Sequence, residues 1–324
     1  MAHSKVMGAP KDMRPRIIYS CRNRADFAAF CARHQRLISS IAAYEEGRPV
    51  DEWYMEQGWC AVCDTRTDFL VDFQYGWMDA AGRRQRNWRE RLECQSCHLN
   101  SRMRAVVQLM IANLNAASGG RVYVTEQVTP LFKALQTRIA NLVGSEFLRD
   151  GTSPGARNAA GIRHEDLTAL TFPEEAFCCI GSFDVLEHVP DFQRGLAQLA
   201  RCLQPGGWLL LSTPLLLHYD RTLVRAVIGP SGTLQHLQDP EFHGDPLSAD
   251  GALCFYHFGW SLLDDLRAFG FQDPRIVLFW SRRYGHLGGL QPIILAQKPP
   301  RPASVPMTGH SRWWPWRRSR LAIG

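Results

Sequence analysis

The stretch FCCIGSFDVLEHVPDFQRGLAQLARCLQPGGWLLLSTP, residues 177–214, decides the fold of this chain. It begins with a short apolar run, Phe177–Gly181, that has the length of a buried strand. Apolar residues at helical spacing follow. Pro205-Gly206-Gly207 predicts the end of that helix, because proline cannot continue it and glycine accepts a positive φ. A second apolar run, Trp208–Leu211, again has strand length. Two buried strands joined by a helix predict a right-handed crossover in a doubly wound α/β sheet.

The size and charge of the chain limit the class of protein to which it can belong. Its 324 residues can hold one large α/β domain and a smaller module. The net charge is +6, but five arginines and no acid lie from residue 299 onward, so the rest carries +1. A nucleic-acid role must therefore depend on local patches. No apolar signal segment opens the chain and no apolar run is long enough for a membrane span, so we expect a cytoplasmic protein.

Four of the ten cysteines form two CxxC pairs, Cys60 with Cys63 and Cys94 with Cys97. Two such pairs let four thiolates converge tetrahedrally on one zinc ion. Alternating apolar positions between the pairs suit a zinc ribbon. Redox pairs are the alternative, but they usually accompany a thioredoxin-like pattern that this sequence lacks. The pairs predict a structural zinc site, because four cysteines leave no open coordination position for chemistry.

A group of arginines lies within and just after the second half of this cysteine segment, close to Trp88. Its members are Arg83, Arg84, Arg86, Arg89, Arg91, Arg102 and Arg104. Basic residues beside an aromatic ring could bind phosphates and stack on bases. They could equally form a solvated face, and with Glu90 and Glu93 nearby we favour that interpretation.

Composition and pattern divide the chain into successive parts. These are a helical arm over 1–50, a zinc-ribbon-like module over 51–105, an α/β domain over 106–298 that includes a cap over 215–257, and a basic Trp- and Pro-rich tail over 299–324. The cap leaves the carboxyl end of a central strand, where ligands bind in open α/β sheets. The tail is expected to be disordered in isolation and suits an anionic membrane surface or an acidic partner.

The start of the sheet has one unusual turn. The predicted first strand, Arg121–Glu126, is followed by Gln127-Val128-Thr129-Pro130, without the glycines that usually let a nucleotide approach the backbone. Thr129 could instead cap a helix that has Pro130 at its first position. The other predicted elements are helices over 24–44, 103–114 and 260–269 and a closing antiparallel hairpin with strands over 275–280 and 292–296.

A known family shows the same combination of motifs. Asp184 ends a predicted strand, Leu186-Glu187-His188 follows it, and Leu203-Gln204-Pro205-Gly206-Gly207 precedes the next strand. This combination resembles the second half of class I S-adenosylmethionine-dependent methyltransferases (type 11-like). With the CxxC pairs, the chain is similar to a subgroup in which a zinc module precedes the catalytic sheet. The resemblance implies a Rossmann-like, mostly parallel sheet of seven strands and S-adenosylmethionine as cofactor.

Acidic residues recur at predicted strand ends. Glu146 lies twenty residues beyond Glu126, where an acid hydrogen-bonds ribose hydroxyls in nucleoside-binding sheets. The resemblance places Asp166, another twenty residues on, beside the adenine amino group, with Leu167 as a backbone contact. The complete set of predicted cofactor-binding residues is Glu126, Gln127, Glu146, Asp166, Leu167, Ser182 and Asp184.

The implied reaction is direct methyl displacement onto a small-molecule or glycan-type acceptor. A hydroxyl acceptor benefits from a base, and His188, His243 and His257 are the candidates. The cap histidines could alternatively bind a second metal ion or simply pack the cap. Two other functions stay open: an RNA methyltransferase that uses the ribbon as its reader, and a non-catalytic scaffold. The cap contains only two cations, Arg221 and Arg225, which favours the small-molecule acceptor.

Overall fold

The structure of the protein is a computed structural model that describes residues 17–114 and 120–301. The helices are α1 Arg24–Arg33, α2 Gln35–Glu46, α3 Ser101–Leu114, α4 Pro130–Gln136, α5 Phe192–Cys202 and α6 Ser261–Ala268. The strands of the first half are β1 Ile17–Cys21, β2 Trp53–Cys60, β3 Thr65–Asp72, β4 Trp77–Met78, β5 Arg84–Gln85, β6 Glu93–Cys94, β7 Val122–Val124 and β8 Leu142–Gly144. Those of the second half are β9 Phe177–Phe183, β10 Leu203–Ser212, β11 Leu223–Val224, β12 Ala226–Ile228, β13 Leu234–His236, β14 Phe242–Asp245, β15 Ser248–Leu253, β16 Tyr256–His257, β17 Gln272–Ser281 and β18 His286–Gln297.

A seven-stranded sheet in the order β1-β17-β18-β10-β9-β7-β8 forms the centre of the molecule. The pairings among β10, β9, β7 and β8 are parallel, and those among β1, β17, β18 and β10 are antiparallel. The expectation of a mostly parallel sheet is therefore wrong, and the sheet is mixed. The physical reason is at one edge: β17 and β18 form the predicted hairpin, and β1 then adds antiparallel to the free edge of β17.

The crossover predicted from residues 177–214 is confirmed. Every residue of β9 is buried, α5 begins after the side chain of Asp191 caps it, and β10 returns parallel to β9. The predicted turn Pro205-Gly206-Gly207 lies within β10, at an irregularity where the register of the β10–β9 pairing shifts between Leu203 and Trp208. Gly206 lies there at φ +78°, which glycine adopts without steric cost.

The two faces of the sheet bury two separate hydrophobic cores. Side chains alternate along the strands, so Ile276 and Leu278 of β17 enter one core, whereas Val277 and Phe279 enter the other. The first core is covered by α1, α5, α6 and residues of the cap, and the second by α3, α4 and residues of the cysteine module. The module therefore shares a core with the sheet, and α3 continues without a break across residue 105.

Local sequence signals identify most of the other elements. The predicted helices over 103–114 and 260–269 and the closing hairpin are confirmed. The predicted helix over 24–44 consists of two helices that meet at His34. Thr129 caps α4 as predicted, since its Oγ1 accepts the Phe132 N–H at 3.1 Å. No helix in the described residues is long and apolar enough to span a bilayer.

The cysteine module and the cap are built from short antiparallel sheets. The module contains the sheet β2-β3-β6 and the hairpin β4-β5. The cap contains the pairs β11-β16, β12-β13 and β14-β15, and β11-β16 joins its two ends. The predicted properties of the tail fall almost wholly on residues 302–324, outside the described residues. The predicted domain boundaries stay predictions.

Candidate functional site

The carboxyl ends of β7, β8 and β9 place three acidic residues along one edge of the sheet. Glu126 follows β7, Glu146 follows β8 and Asp184 follows β9. Because the three strands are parallel, their ends meet at the same edge. Just after β8, Glu146 forms an isolated parallel β-bridge with His164. Glu146, predicted from its spacing after Glu126, thus lies at the same edge of the sheet as Glu126 and Asp184.

Glu126 is buried there with one carboxylate oxygen unsatisfied. Oε2 accepts a short hydrogen bond from the Thr129 hydroxyl. Oε1 has no hydrogen-bond partner among the described residues. Burial is the main reason that the pKa of Glu126 rises to about 7, although the nearby Arg102 opposes the rise. A buried oxygen without a donor is the kind of group that a cationic ligand can satisfy.

We expect Glu126→Gln to stabilise the protein above pH 7. The folded state keeps a proton on Glu126 up to about pH 7 that the unfolded state loses near 4.5, so wild-type stability falls as pH rises through this window. The shift corresponds to at most about 3 kcal/mol. Urea unfolding between pH 5 and 8 measures the difference, which should grow with pH up to 7. The exposed Glu174→Gln is the matched control, and parallel pH profiles for wild type and Glu126→Gln would contradict the assignment.

Glu146 holds the glycine-free turn after β7. Its Oε1 accepts the backbone N–H groups of Gln127 at 2.6 Å and Val128 at 2.9 Å. Its Oε2 makes no hydrogen bond within the described residues. Burial raises the pKa of Glu146, the two backbone donors lower it, and Asp245 of the cap raises it further. One oxygen therefore organises the turn, and the other is left for a ligand.

Among the other predicted cofactor-binding residues, Gln127 and Asp166 form side-chain hydrogen bonds within the protein. The side chain of Gln127 bonds Gly161 O at 3.1 Å and the Arg163 N–H at 2.9 Å. Asp166 Oδ1 accepts two bonds from Thr168, both at 2.8 Å, which leaves Oδ2. Leu167 is buried. Only Asp166 among these residues keeps a side-chain oxygen without a protein partner.

Asp184 is joined to the cysteine module by two arginines. Arg89 donates to Oδ1 at 2.7 Å, and Arg102 Nε lies 2.9 Å from Oδ2. Arg102 also donates to both oxygens of Glu90, at 2.9 and 3.1 Å. Burial opposes ionisation of Asp184, but Arg102 and Arg89 outweigh it and hold its pKa well below the usual range. We call these four residues the arginine–carboxylate cluster.

This cluster corrects the interpretation of the arginines as a solvated face. Four of the seven are buried in the structure, namely Arg86, Arg91, Arg102 and Arg104. Both oxygens of Asp184 are bonded by the protein. Ser182 is also buried, and its hydroxyl accepts a bond from Thr125 at 3.0 Å. The Asp184 oxygens and the Ser182 hydroxyl are therefore already in contact with other described residues in this conformation.

The three histidines predicted from the sequence come together beneath the cap. The rings of His188 and His243 lie 4.9 Å apart, edge to face. His243 and His257 share Glu241, whose Oε1 lies 2.9 and 3.0 Å from their Nε2 atoms. Cys254, followed by Glu187, raises the pKa of His243 to about 11. Sequence reasoning missed Glu241 as a site residue, although it stands two positions before His243.

The four cysteines of the CxxC pairs converge as predicted. Their sulfur atoms all lie within 4.8 Å of one another, with Cys60 to Cys97 at 3.8 Å and Cys63 to Cys94 at 3.9 Å. Backbone N–H groups of Cys63 and Ser96 approach the sulfurs of Cys60 and Cys94 at 3.4 Å. All ten cysteines of the chain are free thiols. The geometry is that of a closed four-sulfur site.

Comparison with known protein families identifies the family to which the chain belongs. The profile of a family described as "Methyltransferase domain" matches residues 111–272, half of the sequence. The chain belongs to this methyltransferase-domain family. The matched region begins within α3 and ends at the start of β17, so it contains the acidic edge and the whole cap. No curated protein matches the sequence.

Solved methyltransferases are among the structures that this methyltransferase domain is similar to. A S-adenosylmethionine-dependent methyltransferase from Mesorhizobium loti is 18% identical, covers 58% of this chain and 96% of its own, and has a TM-score of 0.36. CalS10, an amino pentose methyltransferase from Micromonospora echinaspora, is 14% identical, covers 63% and 92%, and has a TM-score of 0.40. The [4+2]-cyclase SpnF is 18% identical, covers 60% and 82%, and has a TM-score of 0.35.

Proposed function

We propose that this methyltransferase domain transfers a methyl group from S-adenosylmethionine to a small-molecule or glycan-type acceptor. The observation that carries the proposal is the pair of carboxylates at the sheet edge, Glu126 and Glu146, each with one oxygen that makes no hydrogen bond to the residues described by the structure. The cofactor offers matching donors: an α-ammonium group, a ribose diol and an adenine amino group. Family membership and the chemistry of the edge therefore agree.

Each free acceptor atom of the edge has a role in this proposal. Glu146 Oε2 accepts from the ribose hydroxyls, and Glu126 Oε1 accepts from the α-ammonium group. Asp166 Oδ2 accepts from the adenine amino group, beside the backbone of Leu167. Gln127, Ser182 and Asp184 have side-chain polar atoms that are hydrogen-bonded within the protein. Their proposed role is therefore to hold the sheet edge in position.

The bound cofactor supplies an electrophilic sulfonium methyl, and the chain supplies position and proton handling. Holding the acceptor in line with that methyl accounts for much of the expected acceleration. The histidines lie on the cap side of the edge, where the main chain of Glu187 accepts the Phe255 N–H at 2.8 Å. His188, His243 and His257 are therefore our candidates for managing the acceptor proton.

The cap favours a small acceptor over RNA. Its two cations are Arg221 and Arg225, and Arg225 is bonded to Glu241 at 3.1 Å and to the carbonyl of Asp239 at 2.7 Å. Nucleic-acid binding depends on several cations that neutralise phosphates. An RNA acceptor stays the second candidate, and salt-resistant RNA binding that competes with a small acceptor would support it instead.

We also propose that the cysteine module holds one structural zinc ion. Four thiolates at about 2.3 Å from a tetrahedral ion lie about 3.8 Å apart, and two of the sulfur separations are 3.8 and 3.9 Å. Residues just after each pair, Asp64 at φ +53° and His98 at φ +57°, turn the chain back as a knuckle requires. Burial lowers the pKa of the Arg104 guanidinium to about 10, and the charges of the four cysteines act against this shift.

Calorimetry with S-adenosylmethionine and S-adenosylhomocysteine tests the cofactor site. Glu146→Ala should weaken both ligands on the order of tenfold or more, because bonds to a charged acceptor contribute roughly 1.5–3 kcal/mol. The exposed Glu174→Ala should leave both affinities unchanged. A wild-type chain that binds neither ligand would favour the non-catalytic scaffold. Equal affinity in Glu146→Ala and wild type would mean that the ribose lies elsewhere.

A further inference from the structure

We propose that Glu187, His188 and His243 form a second metal site, beneath the cap, for a divalent first-row transition ion. Each of the three residues offers a donor atom within 4.8 Å of the other two, and the atoms that approach Glu187 Oε1 are His188 Nε2 and His243 Nδ1. Two imidazoles and one carboxylate on one side of an ion leave its other positions open. The proposed site is thus an open one, unlike the closed four-cysteine site.

The donor separations suit a metal ion without large movements. Glu187 Oε1 lies 3.6 Å from His243 Nδ1 and 3.8 Å from His188 Nε2. Donors bound at 2.0–2.1 Å to a tetrahedral ion lie about 3.4 Å apart. Shifts of a few tenths of an ångström would therefore bring Glu187 Oε1 to this separation from each histidine nitrogen, and the two nitrogens lie within 4.8 Å of each other.

An unpartnered buried oxygen points into this group. Glu187 is fully buried, and its Oε1 has no hydrogen-bond partner among the described residues. Such an oxygen is costly to leave without a donor or a cation. The two histidine nitrogens nearest to it lie beyond hydrogen-bond distance, at 3.6 and 3.8 Å. A bound cation would satisfy this oxygen directly.

Each of the three ligands is oriented by a hydrogen bond on its other side. His188 Nδ1 donates to the carbonyl of Leu253 at 2.8 Å; a carbonyl can only accept, so Nε2 is left with its lone pair. His243 Nε2 donates to Glu241 at 2.9 Å, which directs Nδ1 toward Glu187. Glu187 Oε2 accepts from the Thr213 hydroxyl at 3.0 Å. Metal-binding histidines and carboxylates are typically held in this way.

The neighbouring group of Glu241, Cys254 and His257 serves as outer support in this proposal. Glu241 accepts hydrogen bonds from His243 and His257 and forms an ion pair with Arg225, so its oxygens are already occupied. The Cys254 thiol donates to the carbonyl of Tyr256 at 3.3 Å. Glu187 is the one carboxylate of the two groups that keeps an unsatisfied oxygen, which places the ion beside it.

With His188 and His243 as its ligands, an ion at this position would take an oxygen of the acceptor as a further ligand and lower the pKa of that oxygen, which would replace proton acceptance by these two histidines. This consequence rests on the proposed methyl transfer. It narrows the acceptor to molecules with a hydroxyl or another oxygen donor that can reach the ion. Binding of the ion itself depends only on the three ligands and can be measured without cofactor or acceptor.

The site is tested by titrating the full chain with Mn²⁺ and detecting the bound ion by electron paramagnetic resonance. Mn²⁺ prefers oxygen and nitrogen ligands and does not compete for thiolates, so the four-cysteine site stays out of the measurement. We expect one Mn²⁺ per chain. Glu187→Gln and His188→Gln should each weaken it tenfold or more, and Glu241→Gln, which removes an outer support, should weaken it by roughly 10–100-fold.

His236→Gln is the matched control, because His236 is an exposed histidine of the same cap. It should bind Mn²⁺ as wild type does. Thermal unfolding of each variant by circular dichroism identifies any loss of binding that comes from loss of fold, and His188→Gln remains informative if Glu187→Gln does not fold. The proposal is overturned if wild type binds no Mn²⁺, or if folded Glu187→Gln and His188→Gln bind it normally. Mn²⁺ binding without S-adenosylmethionine binding would retain this site and reject the proposed function.

Discussion

Cys94→Ser is expected to lose zinc and to destabilise the chain by at least about 3 kcal/mol. Zinc binding supplies on the order of 10 kcal/mol or more to small zinc modules, and three thiolates cannot complete the tetrahedron. The effect should extend beyond the module, because Cys94 and Phe69 lie in the same core as Leu210 and Val277 of the central sheet. Metal analysis by mass spectrometry and thermal unfolding measure the two effects.

Cys31→Ser is the control for the chemistry of the substitution. Cys31 is a half-buried cysteine of α1, outside the CxxC pairs. It should keep about one zinc per chain and unfold near the wild-type temperature. A wild-type protein purified without metal, or a Cys94→Ser protein that retains a full equivalent of zinc, would show that the four thiols have another purpose.

Arg102→Met should destabilise the protein by about 2–4 kcal/mol. The substitution leaves two carboxylates, Asp184 and Glu90, with Arg89 as their one remaining arginine in the cluster, and an uncompensated buried charge costs several kcal/mol. The cluster is only partly exposed, with 10% of the Arg102 side chain and 19% of the Asp184 side chain accessible. Chemical denaturation at pH 7 measures the loss, and S-adenosylmethionine affinity should fall with it, because Asp184 directly follows β9 at the edge where we propose that the cofactor binds.

Arg84→Met is the matched control, since Arg84 pairs with Glu52 on the surface of the same module. Exposed ion pairs contribute about 0–1 kcal/mol, so its effect should be small. A double-mutant cycle that combines Arg102→Met with Asp184→Asn should show strong coupling. Additive effects of these two substitutions would mean that the cluster does not connect the module to the sheet edge.

Much of the fold could be predicted because short-range signals specify it. The apolar runs Phe177–Gly181 and Trp208–Leu211 have the length of buried strands, and the helix between them shows helical spacing. Thr129 and Pro130 mark the start of α4 by their capping chemistry alone. The spacing of acids after strands brought Glu126 and Glu146 to one edge, because parallel strands align their carboxyl ends.

The edge strand β1 could not be predicted from local pattern, although the antiparallel hairpin that it joins could. β1 is five residues long and pairs with β17, some 250 positions away, so its role depends on an edge that exists only in the folded protein. The arginines near Trp88 gave a similar difficulty. A run of charged residues usually indicates a solvent-exposed face. In the folded protein, however, Arg89 and Arg102 contact the carboxylate of Asp184, which is distant in the sequence.

The sequence by itself determined the crossover at residues 177–214, the two cysteine pairs and the acids after the first strands. Each of these depends on residues that are neighbours in the chain or that parallel strand ends align. The tertiary structure alone decided that His243 and Glu187, more than fifty positions apart, face each other at 3.6 Å, and that Glu241 orients the histidine. The cap brings them together by folding back through the β11-β16 pairing, and such a long-range approach leaves no periodic mark in the sequence.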